Sequence, residues 1–156
     1  MPDAKRKKLQ HINEAKDGEA SYVLHPDDND LFFRTGKQII ESCQLGISIE
    51  VWIDELNSMV EHVRAWASGK NDRVRTCYCT PKGTTVVLFF SPNSAAFDFD
   101  LADCLSVLNL ELIQKFNVGM VEVHQIPWNE IDRFVDTEST KLIYGEHFKP
   151  PAAVEA

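Results

Sequence analysis

No apolar run in this chain approaches the roughly 20 residues that span a bilayer, so a transmembrane helix is not expected. The opening stretch "MPDAKRKKLQHINEAKDGEA" has basic residues with no apolar core behind them, which argues against a secretory signal of ordinary form. Cysteine is scarce. Cys43, Cys77, Cys79 and Cys104 are too few and too scattered for a disulfide scaffold in a chain of 156 residues, which is long enough to bury its own core. Reduced thiols in a cytoplasmic setting are the expectation. Positive charge is also short: 16 Lys and Arg stand against 24 Asp and Glu, and the resulting −8 repels nucleic acid and anionic lipid over most of the surface. Neither is expected as a partner. The basic residues at 5–8 read as a solvated tail and those at 73–75 as the exposed side of a strand.

Signature motifs are missing as well. The chain has no Gly-x-Ser-x-Gly elbow, no His-Glu-x-x-His, no Walker A loop and no dinucleotide fingerprint, nor any internal repeat. The enzyme classes that motifs announce therefore lose support, and no cofactor is expected.

What is present is a core. Hydrophobic residues make up 44% of the chain, enough for one domain of ordinary size. Residues 1–30 read as a polar arm and a loop, with Asp27, Asp28 and Asp30 serving turn chemistry. The domain proper is placed at 31–146, with a tail at 147–156. From Ser48 to Ser68, Ile49, Trp52, Leu56, Met59, Val63 and Trp66 recur at spacings of three and four, with polar residues between them. That is an amphipathic helix. Ser48 is its natural N-cap, and Gly69 is expected to end it in the left-handed conformation.

"RVRTCYCT" and "TTVVLFF" flank "PKG" and are rich in β-branched and aromatic residues, so they predict a hairpin with Pro81 at the second turn position and Gly83 at a left-handed one. The second strand, apolar on both faces, should be central in its sheet. Leu101, Leu105, Leu108 and Leu112 predict a second helix, "VGMVEVHQI" a further strand, and Pro127 opens a short helix in "PWNEIDRFV". With "KQIIESC" at 37–43 taken as a strand, the order becomes β-α-β-β-α-β. An α+β fold follows, of the ferredoxin-like kind: two helices on one face of an antiparallel four-stranded sheet, plus the short C-terminal helix.

Four groups could carry function. Asp98, Asp100 and Asp103 read best as a helix start, with Asp100 as N-cap and Asp103 three residues on; a metal site built on them would bridge to a phosphorylated substrate, and the glycine loop for that phosphate is absent. Glu122 and His124 share a strand face and could join Asp98 or Asp100 in a cluster for metal or acid/base work. Cys77 and Cys79 also share a face. They read as core residues, with the alternative of half a zinc site whose other half is missing or of a redox sensor. Finally, the apolar face of the 48–68 helix is roughly 27 Å long at 1.5 Å per residue, more than short strands need for cover. Part of it could serve an interface, with Trp52, Met59, Trp66 and Trp128 as anchors.

The expected function is thus a self-associating protein-interaction or regulatory module. The alternative is a small metal-dependent enzyme using Asp98, Asp100, Asp103, Glu122 and His124. Convergence of those side chains in one pocket would favour the enzyme, and their dispersal the module.

Overall fold

The computed structural model describes residues 31–135 and 139–146. The arm and loop at 1–30 and the tail at 147–156 lie outside the described residues. Within them, two helices come first, α1 (Leu31–Cys43) and α2 (Ile49–Ser68), followed by a hairpin of β1 (Val74–Lys82) and β2 (Thr85–Pro92). Then come α3 (Phe99–Lys115), β3 (Met120–Gln125), a 3-10 helix (Trp128–Arg133) and β4 (Lys141–Tyr144). The fold is α+β around one four-stranded sheet, ordered β3-β2-β1-β4.

Residues 37–43, expected as a strand, belong to α1. Their β-branched pair Ile39-Ile40 suggests a strand in isolation, but the whole segment buries Phe32, Thr35, Gly36 and Ile39, a helical spacing. Gly36 makes the packing possible. A Cβ there would lie 2.5 Å from Trp52 Cε3 and 2.9 Å from Ile49 Cδ1, so only glycine lets α1 approach α2 this closely. Trp52 cannot yield, since it is fully buried and its indole N–H donates to the Val118 carbonyl at 3.1 Å.

The fourth strand is instead β4, antiparallel to β1. The sheet is mixed: β1 and β2 are antiparallel, whereas β2 and β3 run parallel because α3 carries the chain back across the sheet between them. The wholly antiparallel ferredoxin-like order is therefore not the one seen. The hairpin forms where expected, with a different turn. Lys82 pairs with Thr85 around a two-residue loop, and Gly83 has φ of 66°, as a type II′ turn requires at its first position. Pro81 lies within β1 opposite Val86, beyond the stretch that β4 pairs, where a missing N–H is tolerated.

Ser48 caps α2 as expected, its hydroxyl oxygen accepting from the Val51 N–H at 3.2 Å. Gly69, by contrast, is right-handed at φ −73°. The three long helices share one face of the sheet. There Leu56, Met59 and Val63 of α2 and the four leucines of α3 meet Cys77, Cys79, Leu88 and Phe90. The opposite face holds a smaller cluster in which Ile126 and Ile131 cover Tyr78, Val87 and Phe89. β2 is thus buried on both sides, as its sequence indicates. No helix among the described residues is long and apolar enough to cross a membrane.

Candidate functional site

The aspartate run resolves around Asp98. It is Asp98 that caps α3, its carboxylate accepting from the Leu101 N–H at 3.0 Å; Asp100 sits in the first turn, and the helix begins two residues earlier than the leucine spacing suggests. Arg73, just before β1, donates from Nη1 to both Asp98 oxygens at 2.9 Å. The Gln125 side chain grips the same residue by its main chain. Asp98 N–H donates to Gln125 Oε1 at 2.8 Å, and Gln125 Nε2 donates to the Asp98 carbonyl at 3.0 Å. Asp98 thereby ties together the start of β1, the start of α3 and the end of β3. Its carboxyl is held below the ordinary value chiefly by the Leu101 N–H, with partial burial acting against this and Arg73 reinforcing it. The Arg73 guanidinium is in turn pushed up, first by its hydrogen bond to Asp98. Asp100 is 78% exposed and reaches Arg73 only at 3.5 Å, and Asp103 is exposed.

Glu122 and His124 stand elsewhere, on the sheet face away from the three long helices. They pair with each other, His124 Nε2 lying 3.1 Å from Glu122 Oε1, each about half exposed. The imidazole stacks on Phe89 at 5.8 Å between ring centres. Both residues border a hollow of about 350 Å³ floored by Val87 and Phe89 and walled by Pro127 and Phe134. Lys82 and Glu130 complete its rim. None of the three aspartates lines it, so the convergence that an acid/base or metal cluster requires does not occur. Among the described residues, no three His, Cys, Asp or Glu side chains are arranged to hold a metal ion.

Cys77 and Cys79 point into the helix-side core and are fully buried. Burial pushes the Cys79 thiol up to about 12, and that of Cys77 well above its ordinary value, with Cys79 beside it adding to the effect. Such thiols are poor nucleophiles and poor ligands. Cys43 is exposed and Cys104 half-buried, both on helices.

The expected interface anchors divide. Trp52 and Met59 are wholly buried and belong to the core. Trp66 is half-buried, edge-on to Phe90 at 5.6 Å, with the Lys70 ammonium 5.4 Å above its ring. Trp128 is half-buried under the Arg75 guanidinium at 3.8 Å. The inward face of α2 is consumed by packing. Of the exposed large apolar residues described, four lie on α3: Phe99, Val107, Leu110 and Ile113 are 76%, 68%, 59% and 44% exposed, and Phe97 packs edge-on to Phe99 just outside the helix; Val51 of α2, Met120 of β3 and Phe134 stand apart from them. The sequence carries this signal, since α3 has apolar residues at two angular positions, but the regular leucine spacing draws attention to the inner one alone. Comparison with protein-family models, curated proteins and solved structures finds no match for this chain.

Proposed function

We propose that this chain is a protein-interaction module that self-associates through the outer face of α3. The carrying observation is that α3 is apolar on both sides. Leu101, Leu105, Leu108 and Leu112 fill the core, while Phe99, Val107, Leu110 and Ile113 stand in solvent. With Phe97 they amount to roughly 500 Å² of apolar surface, so two copies pairing would bury on the order of 1,000 Å², the lower end of specific interfaces.

A second copy suits this surface by symmetry. The first turn of α3 carries the exposed Asp100, while Lys115 in its last turn is held 3.6 Å from Glu111 of the same helix, so the helix ends offer the pairing little charge of their own. An antiparallel two-fold pairing matches the same apolar face on both copies and opposes the helix dipoles favourably. The four free cysteines fit a reducing, cytoplasmic setting. The metal-dependent enzyme draws no support from the aspartates, because Asp98 is already committed to Arg73 and to the helix N–H groups.

Association through α3 makes thermal stability depend on protein concentration. The melting temperature is expected to rise with concentration in the wild type and to become independent of it in Leu110→Glu. Leu108→Ala, on the inner face, instead costs about 2–5 kcal/mol at every concentration. Equal behaviour of wild type and Leu110→Glu contradicts the proposal.

A further inference from the structure

Among the described residues β3 forms one edge of the sheet, pairing with β2 alone. The other edge, β4, is short at 4 residues, has a register shift in its pairing, and is tied to α2 by the Arg64 Nε–H donating to the Ile143 carbonyl at 3.0 Å. β3 has 6 residues in unbroken register with β2 and lacks the proline or bulge that usually blunts an edge. It is also a ridge between two hollows, each of about 350 Å³. On the side of the 3-10 helix lies the one floored by Phe89 and walled by Phe134. On the α3 side lies a second, formed by Phe97, Leu105, Ser106 and Asn109 against Val123. His124 and Gln125 border both.

From this juxtaposition we infer that β3 accepts an extended segment of a partner protein as a fifth strand, with consecutive side chains of that segment entering the two hollows. Successive residues of a strand point to opposite faces, so a segment running beside β3 presents neighbouring side chains to the two hollows in turn. Main-chain hydrogen bonds supply affinity in this mode and the hollows supply specificity.

The lining dictates the chemistry of the segment. The hollow beside the 3-10 helix is apolar within, with Phe89 and Phe134 6.4 Å apart between ring centres, and takes an aromatic side chain. On the α3 side, Asn109 offers a buried Oδ1 that no donor reaches among the described residues, so this hollow takes a side chain that ends in a donor. The surrounding field selects a cationic one. No acidic residue lines this hollow itself, but Glu122 and Glu130 outnumber Lys82 around the neighbouring one, which His124 and Gln125 join to it, and the chain as a whole carries −8. The recognised element is an aromatic residue next to a lysine or arginine in an extended, basic stretch.

The α3-side hollow shares Phe97 with the surface proposed for association, so the inference is tested with association removed, in the isotopically labelled full chain carrying Leu110→Glu. The probe is a capped peptide that alternates lysine with threonine around one central phenylalanine. Saturable shifts of the amides from Met120 to Gln125 are expected. Replacing a residue beside the phenylalanine by proline, which deletes a ladder donor, should weaken binding about tenfold, the effect of one or two backbone hydrogen bonds. Replacing the lysines by glutamate should weaken it as much or more. Absence of saturable shifts in β3, equal affinity of the proline peptide, or shifts confined to the α3 surface or to β4 each overturns the inference. So does a residual dimer of Leu110→Glu joined through β3, which would make a second copy the occupant.

Discussion

Asp98 shows how one side chain can settle what a run of three carboxylates does. Each of Asp98, Asp100 and Asp103 could cap a helix beginning near residue 100, and the local sequence does not choose among them because helix ends slip by a residue or two. The choice is made by Arg73 and Gln125, both distant in sequence, which grip Asp98 and leave Asp100 in solvent. Asp98→Ala is therefore expected to lower the melting temperature by several degrees, and Asp100→Ala to leave it nearly unchanged. The pH dependence carries a sign. A carboxyl held below its ordinary value of 3.8 contributes stability that is fully present above that value and is lost as pH falls through the folded one. The acid limb of the stability profile should accordingly flatten in Asp98→Asn, and an unchanged limb would show that Arg73 and the Leu101 N–H do not favour the charged form.

At the same scale, Cys77 and Cys79 are decided by burial rather than by their spacing. Their period-two placement was legible, but a strand in the middle of a sheet has two inner faces, and the sequence does not say which one the helices cover. Maleimide labelling of the native protein should modify Cys43 rapidly, and Cys77 and Cys79 only after unfolding, as read by mass spectrometry of the digested chain. Because their thiols stay neutral in the fold and ionise near 9.0 in the unfolded chain, the stability they contribute is fully present below that value and is lost progressively as pH rises from it through the folded value, about 12 for Cys79. Native-state labelling of Cys79 at the rate of Cys43 would contradict its placement.

Among the elements, α2 was the most legible because everything local agreed: the three-four spacing, the Ser48 cap and a length that allows several turns. α1 was hidden by its own contents. Gly36 weakens a helix in isolation, and the Ile39-Ile40 pair favours a strand, so only the packing against Trp52 explains why the segment is helical. That packing makes an inverted expectation. In an exposed helix Gly→Ala stabilises by up to about 1 kcal/mol, whereas Gly36→Ala should destabilise by roughly 1–3 kcal/mol, the cost of overpacking a core that cannot shift. Denaturant unfolding checks the sign, and a stabilised Gly36→Ala would mean that α1 and α2 do not touch as described. β4 was illegible for another reason: its 4 residues are too few to display a period. The parallel pairing of β3 was equally hidden, since the direction of a strand after a helix depends on how the helix crosses the sheet.

At the scale of the whole molecule, the two surfaces proposed for association among the described residues are the outer face of α3 and the edge of β3. Both lie toward the same end of the sheet, where α3 packs over β3, and the acidic knot at Asp98 joins the two elements at their base. A chain with net charge −8 resists indiscriminate association, and in the proposed dimer the apolar outer face of α3 is the surface that selects a second copy. The stripe was written in the sequence as Phe99, Val107, Leu110 and Ile113, but its exposure depends on α3 being an outer helix, which only the fold decides. Self-association is tested most directly by the light-scattering mass of the full chain across a concentration series spanning the micromolar range. The mass should rise toward twice the 17.7 kDa of one chain in the wild type and stay at the single-chain value in Leu110→Glu. A wild type that remains at the single-chain mass throughout, or a Leu110→Glu variant that associates equally well, would contradict it.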